Sequence, residues 1–200
     1  GPLGELAREV PAFRAYALTA LSAMDDPAAY EALVELLKQP SAETRYGAFR
    51  ALWAMNPRDT LTRGESMSDF SYHVIEPGGP PLVHCTRSYR AEVVLFGAQQ
   101  KLITPLAIEA SQKLVVTAPE AGSERVTVAR FAVNEPDQKR TVPARVDDVI
   151  RAMVDLGAHY PDVVQFLQRA KASGALASRF EIDSIPKGGR TYFQIGRAHV

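Results

Sequence analysis

Four side chains able to ligate a metal or act as nucleophiles fall close together in the sequence: His73, Glu76, His84 and Cys85. Imidazole, carboxylate and thiolate are zinc ligands, and a cysteine thiol near a histidine can become a nucleophile. Both chemistries require side chains that converge. His84 and Cys85 are consecutive in a predicted strand, so they point to opposite faces of it. We therefore predict ordinary sheet positions on two adjacent strands, not a metal centre or a Cys–His pair.

Paired carboxylates and glycines offer two further candidate sites. Asp147 and Asp148 could serve acid–base chemistry, but they fall in the first turn of a predicted helix, where the helix dipole favours negative charge. Gly78-Gly79 and Gly188-Gly189 do not belong to a phosphate-binding glycine pattern. We expect no catalytic residue, no bound cofactor and no metal ligand, and hence a protein that is not an enzyme.

The most regular polar feature belongs to an internal repeat. Residues 14–24 return as residues 45–55, 31 positions later. The identical pairs are Arg14/Arg45, Ala17/Ala48, Ala20/Ala51, Leu21/Leu52, Ala23/Ala54 and Met24/Met55. Apolar residues recur at helical spacing through residues 1–57, and the helices are separated at Asp26-Pro27 and at Pro40-Ser41. Self-similarity at this spacing predicts stacked helices, an architecture that usually binds macromolecules.

Residues 41–52 resemble the HEAT-repeat pattern, in which an acidic or small turn precedes an Arg and an Ala-rich helix. The resemblance covers residues 5–57 and is closest to the short bacterial HEAT-like variety. It implies an α-solenoid remnant with more repeats upstream, and an arginine that contacts the acidic turn of the neighbouring repeat. The candidate interaction residues are Arg14, Arg45, Tyr46, Arg50 and Trp53. Trp53 is also expected to pack in the core against the module that follows.

The periodicity changes after a polar linker at residues 58–69. Residues 70–132 alternate as strands and predict a small antiparallel sheet or barrel, with the apolar segment 92–97 at its centre. Residues 133–193 predict a connector, a C-terminal helix pair and a short strand, all packed on the β module. The predicted fold class is therefore α+β, and we expect residues 70–185 to fold without residues 1–57.

A second resemblance lies inside the β module. Residues 91–116 are similar to part of the flagellar basal-body P-ring protein, with an apolar strand, a glycine, a Pro-containing segment and a Leu-x-Val strand. That family's Asn-Glu-Arg-Thr-Gly turn is missing, and residues 98–101 stand in its place. This resemblance implies a periplasmic structural component. Without it the compartment is unassigned, with the cytoplasm as the alternative.

Composition restricts the partners. The chain has 23 basic and 23 acidic residues and a net charge of zero, which disfavours nucleic acid. No apolar run approaches the ~18–20 residues of a membrane helix, so no membrane insertion is expected in this fragment. A single cysteine excludes an internal disulfide. Residues 194–200 match the translation of a common sequencing adapter, so we interpret them as an artefact and exclude them.

The function predicted from these observations is a scaffold or protein–protein interaction module belonging to a larger bacterial protein. The alternative comes from a different class. Short HEAT-like repeats also occur in proteins resembling phycobilin lyases, which attach or detach bilins, so the chain could be an enzyme or an accessory subunit of that type. Such a protein should carry a carboxylate-lined groove in its repeats. DNA binding by the solenoid is a third hypothesis, which the neutral charge disfavours.

Overall fold

The computed structural model describes residues 1–88 and 90–187, and shows an α+β chain with N-terminal helices and two sheets. The helices are α1 (Pro2–Glu9), α2 (Arg14–Ser22), α3 (Pro27–Leu36), α4 (Ala42–Met55), α5 (Val146–Asp155) and α6 (Tyr160–Ala172). The strands are β1 (Glu65–Met67), β2 (Phe70–Ile75), β3 (Leu82–Thr86), β4 (Glu92–Phe96), β5 (Leu106–Glu109), β6 (Leu114–Ala118), β7 (Arg125–Arg130), β8 (Gln138–Pro143) and β9 (Arg179–Ile182). The second glycine pair and residues 194–200 lie outside the described residues.

The N-terminal helices begin at the capping residues that the sequence indicates. The Asp26 carboxylate accepts the backbone N–H of Ala28 at 3.0 Å, and α3 then starts on Pro27. The Ser41 hydroxyl accepts the N–H of Thr44 at 3.3 Å and opens α4. Both predicted helix starts are confirmed. Buried alanines such as Ala17 and Ala48 let α2 and α4 pack closely.

The first sheet corrects two predictions. Its strand order is β1-β2-β4-β3-β9, so β4 separates β2 from β3, which were predicted to be adjacent. It is also mixed and not purely antiparallel, since β2 pairs with β4 in parallel and β3 pairs with β9 in parallel. The physical reason lies in β4, where every residue is buried. A continuously apolar strand is most stable at the centre of a sheet, with a neighbour on each edge.

The second sheet is an antiparallel meander in the order β5-β6-β7-β8. β8 lies in the connector that was predicted to follow residue 132, and β1 lies within the predicted linker at residues 58–69. Both strands were missed because they lack apolar alternation. β8 is an edge strand of mostly exposed polar residues, and β1 has three residues. Charged residues on an edge strand protect it from pairing with another chain.

The mixed sheet forms the middle layer, and its two faces belong to different cores. On one face, Leu82, Val94 and Phe96 pack with helical residues that include Leu33 and Phe49. The opposite face packs with α5, α6 and the second sheet, and its core residues include Tyr72, Cys85, Leu95, Met153 and Phe166. None of the helices within the described residues is long and apolar enough to cross a membrane. One face of the mixed sheet therefore belongs to the same apolar core as the N-terminal helices, and this core extends across the predicted boundary at residue 57.

Candidate interaction surface and buried carboxylate cluster

Helix α4 carries most of the candidate interaction residues and links the two halves of the molecule. It packs on α2 and α3 along one side and on the mixed sheet along the other. Tyr46, Arg50 and Trp53 follow one another at helical spacing, so they form a single stripe along α4. The stripe runs from the buried contact with the sheet toward solvent, because exposure increases from Tyr46 to the partly exposed Arg50 and Trp53.

Arg14 and Arg45 make equivalent contacts in successive units. The Arg14 Nε donates to the Ala7 carbonyl at 2.9 Å, and its Nη1 reaches forward to the Glu43 carboxylate at 3.1 Å. The Arg45 Nε donates to the Leu37 carbonyl at 2.7 Å. Its Nη1 reaches forward to the Pro80 carbonyl, between β2 and β3, at 2.6 Å. Each arginine thus ties the preceding helix to the following unit, and for Arg45 the following unit is the sheet.

No carboxylate among the described residues pairs with Arg45. Its side chain is buried, and the guanidinium carbon lies 4.6 Å from the centre of the Phe96 ring. Within the described residues, its Nη2 has no hydrogen-bond partner. Burial, together with the positive charge of Arg179, lowers the pKa of Arg45 to about 10. The two carbonyl contacts and the aromatic face therefore carry most of the stabilisation of this charge.

Glu92 is the centre of a buried polar cluster between α4 and the mixed sheet. Its side chain is 1% exposed, and the Tyr46 hydroxyl donates to Oε1 at 2.7 Å. Arg50 Nη1 donates to Oε2 at 3.1 Å, and His73 Nε2 lies 3.6 Å from the same oxygen. Burial favours the protonated carboxyl. The close contact with His73, the hydrogen bond from Tyr46 and the charge of Arg50 outweigh it and lower the pKa of Glu92 below its usual range.

The two buried histidines hold positions around this carboxylate. His73 Nδ1 donates to the Thr62 carbonyl at 2.8 Å, which directs Nε2 toward Glu92. His84 stacks on Tyr46 with the ring centres 4.0 Å apart, and its Nε2 accepts the N–H of Ser184 at 3.0 Å. Burial lowers the pKa of His84 to about 4, so the ring is neutral at pH 7.

His73, Glu76, His84 and Cys85 do not converge into a metal site or a nucleophilic Cys–His pair. His84 faces α4 while Cys85 packs in the opposite core, so the predicted divergence of these two side chains is confirmed. Burial raises the pKa of the Cys85 thiol, which keeps it protonated. Glu76 is exposed and accepts the backbone N–H of Ala98. In the part of the chain that the structure describes, no three His, Cys, Asp or Glu side chains converge as metal ligands.

The acidic pair at the start of α5 has structural contacts. Asp147 accepts the Tyr72 hydroxyl at 2.8 Å and the Arg151 Nε at 2.9 Å, which fixes α5 on the mixed sheet. Asp148 accepts the Arg145 Nε at 2.6 Å. Both carboxylates therefore accept hydrogen bonds from neighbouring side chains of the protein.

An open groove lies between α2 and α4, and we call it the α2–α4 groove. It has a volume of about 280 Å³. Its lining residues are Ala15, Leu18, Thr19, Ser22, Gly47, Arg50, Ala51, Ala54 and Pro186. Arg50 is the charged residue of this lining, and no carboxylate belongs to it. The Arg50 guanidinium also covers Trp53, with 4.5 Å between its central carbon and the centre of the indole ring.

The structure separates the five candidate interaction residues into two groups. Arg14, Arg45 and Tyr46 are 6%, 2% and 4% exposed, so they hold elements of the chain together and do not offer a free surface. The recurrence of Arg14 and Arg45 in the repeat reflects these internal contacts. Arg50 and Trp53 are the partly exposed members. Trp53 was expected in the core, but its position at the outer end of the stripe leaves part of the indole in solvent.

Glu92 is the residue that sequence reasoning missed. The signal was present, because a charged residue opens an apolar strand that was placed at the centre of the sheet. A carboxylate in such a position requires buried donors. The donors could not be named from the sequence, because Tyr46 and Arg50 lie more than 40 positions away.

Comparison with known proteins supports the helical repeat alone. The family model of the PBS lyase HEAT-like repeat matches residues 13–39, which cover α2 and α3. Comparisons with curated proteins and with solved structures gave no significant match. Residues 13–39 therefore contain a HEAT-like repeat, whereas nothing supports the likeness of residues 91–116 to the P-ring protein.

Proposed function

We propose that this chain is a non-enzymatic protein-interaction module in which the α2–α4 groove and the neighbouring Trp53 form the contact surface. The observation that carries this proposal is the HEAT-like repeat at residues 13–39, whose helix α2 forms one wall of an open groove. HEAT-type helices stacked as a solenoid remnant present such surfaces to macromolecular partners. The mixed sheet then serves as the closing layer of the helical stack.

Arg50 and Trp53 have the properties of interface anchors. Arginine and tryptophan are enriched among residues that dominate binding energy. Arg50 is held by Glu92 on one side and by the indole of Trp53 on the other, so less side-chain entropy is lost when a partner binds. The Arg50 side chain is 22% exposed and lines the groove, so it is accessible to a partner there.

The test measures which proteins the full chain captures and whether capture depends on the proposed surface. The informative variants are Trp53→Ala and Arg50→Lys, since a lysine keeps a positive charge near Glu92. Phe131→Ala and Arg58→Lys are the matched controls, because both residues are exposed and lie outside the groove lining. A partner lost with both surface variants and kept with both controls supports the proposal. Capture that is equal in all five proteins contradicts it.

The alternative is a role related to phycobilin lyases, which the description of the matched family keeps open. Among the described residues, the lining of the α2–α4 groove contains no carboxylate, which favours the interaction module. A separate cavity of about 360 Å³ beside Arg14 is lined by the carboxylates of Glu43 and Glu181, which is the feature expected of a lyase-like protein. Mixing the chain with phycocyanobilin distinguishes the two functions. A shift in bilin absorbance that survives Trp53→Ala would favour the lyase-like function over the interaction module.

A further inference from the structure

The chain segment after β9 crosses from the mixed sheet to the helices. It turns at Asp183, which has a φ of 53°. The Asp183 carboxylate accepts the backbone N–H groups of Arg87 and Ser88 at 2.7 and 3.1 Å, and also the Ser88 hydroxyl at 2.7 Å. Next along the segment, the N–H of Ser184 donates to His84. We call residues 183–187 the strap, because these contacts direct them onto the surface of α4.

Pro186 of the strap sits in a notch that Gly47 creates in α4. A Cβ atom on Gly47 would lie 2.6 Å from Pro186 Cγ and 2.5 Å from Leu18 Cδ1, both closer than packed atoms allow. Glycine inside a helix costs stability relative to alanine. The close approach of a proline ring gives Gly47 a physical reason to be there. Ile185 packs beside it against the helical core.

Pro186 is the residue of the strap that lines the α2–α4 groove. The other lining residues belong to α2 and α4, among them Thr19, Ser22, Ala54 and Arg50. The strap carries Lys187 after its proline and places no carboxylate among the partners of Arg50. The Arg50 guanidinium has five donors, and within the described residues it donates one hydrogen bond, to Glu92. Its positive charge in a groove lining without a described carboxylate is complementary to an anionic group.

We propose that the α2–α4 groove recognises an extended partner segment that places a proline in the Gly47 notch and a carboxylate on Arg50, and that the strap is its intramolecular competitor. This inference rests on the proposed interaction function and names the chemistry of the ligand. Proline-containing segments are already extended and lose little entropy on binding. A partner segment that also supplies a carboxylate gains an ion pair that the strap lacks, and can therefore displace it.

The test uses the full chain and a fluorescein-labelled peptide of sequence Ser-Ile-Pro-Glu-Glu-Ala, with binding measured by anisotropy. Pro186→Gly weakens the strap, so we expect the peptide to bind this variant about tenfold more tightly than the unchanged chain. Pro136→Gly is the matched control, because Pro136 is exposed and outside the groove lining. Gly47→Ala closes the notch and should abolish binding. A peptide with Gln in place of both Glu residues should bind more weakly.

Two results would overturn the inference. One is equal peptide affinity, or no binding, for the unchanged chain and for Pro186→Gly. The other is binding that survives Gly47→Ala while circular dichroism shows that the variant is folded. Suppose that either result is found while partner capture still depends on Trp53. The inference about the proline notch would then be wrong, and the proposed interaction function would still stand. Suppose instead that the peptide binds Pro186→Gly most tightly and Gly47→Ala not at all, but that no captured partner depends on Trp53. This result would support peptide recognition in the Gly47 notch and contradict the wider contact surface that includes Trp53.

Discussion

Arg50 and Glu92 connect the open groove to the interior of the molecule through a single hydrogen-bonded ion pair. The Arg50 Nη1 lies 3.1 Å from Glu92 Oε2, and the two side chains are 22% and 1% exposed. The carboxylate is thus held away from water while its arginine partner remains accessible. A ligand that binds Arg50 therefore acts on a group that also stabilises the contact between α4 and the mixed sheet.

Neutralising the buried carboxylate should destabilise the fold. Glu92→Gln keeps the side-chain size but removes the charge that Arg50 and His73 face. We expect a loss of about 2–3 kcal/mol in the free energy of unfolding, since an arginine is left without its buried counter-ion. Urea denaturation measures it. Glu120→Gln, at an exposed position, is the control and should change stability by less than about 0.5 kcal/mol. A Glu92→Gln protein as stable as this control would show that the ion pair contributes no net stability.

Stability should fall in mild acid because of His84. Its pKa is about 4 in the folded chain, against an ordinary value near 6.5 in the unfolded chain. Between these values the unfolded state binds more protons, so the His84 contribution is complete above about pH 6.5 and is lost as the pH falls toward 4. The slope of unfolding free energy should reach up to about 1.4 kcal/mol per pH unit in this window.

The variant His84→Phe isolates this effect. Phenylalanine can retain the stacking on Tyr46 but cannot bind a proton, so urea midpoints measured from pH 7.5 to 4.5 should vary less than in the unchanged chain. His159→Phe removes a histidine that is exposed in the folded chain and should leave the slope in place. Identical slopes for His84→Phe and the unchanged chain would assign the acid sensitivity to other groups.

The two equivalent arginines should differ in their contribution to stability. A lysine has one ammonium group and cannot reach two carbonyl oxygens in the way that Arg45 reaches Leu37 and Pro80. We expect Arg45→Lys to cost about 2–3 kcal/mol, because it also leaves buried acceptors without donors. Arg14→Lys should cost about 1 kcal/mol, since its partner Glu43 is half exposed. Thermal unfolding of both variants provides the comparison. Equal losses would mean that the contact of Arg45 with the sheet adds no more stability than the contact of Arg14 with Glu43.

Removal of residues 1–57 should abolish cooperative unfolding of the remainder. This expectation replaces the one drawn from the sequence, because the deletion would expose Leu82, Val94 and Phe96, which are buried under the helices. Burial of each such side chain contributes about 1.5–3 kcal/mol. Thermal melting of residues 58–187 followed by circular dichroism is the measurement. A sharp transition at a temperature close to that of the full chain would show that the β module is an independent domain.

Local signals in the sequence were sufficient for the starts of α3 and α4. The side chains of Asp26 and Ser41 each accept a backbone N–H at the beginning of a helix. The separation of α1 from α2 was not predicted. Sheet order was not predictable in the same way. The parallel pairing of β2 with β4 depends on which strand tolerates complete burial, and β3 lies between them in the sequence.

The candidate site was only partly predictable for a related reason. The repeat identified Arg14 and Arg45 by their offset, but not whether their side chains face a partner or the protein itself. Glu92 could be recognised as a charge in a central strand, whereas its donors on α4 follow only from the tertiary structure. The sequence did not distinguish Arg50 from the other candidate residues. The structure does, because Arg50 lies both in the groove lining and in the Glu92 cluster.

The contact from Arg45 to Pro80 also shows how the mixed sheet is placed relative to the helical stack. Where Arg14 reaches the turn of a following helix, Arg45 reaches the mixed sheet, so the sheet occupies the position at which another repeat would stack. The mixed sheet therefore covers the helical face that a further repeat would otherwise bury.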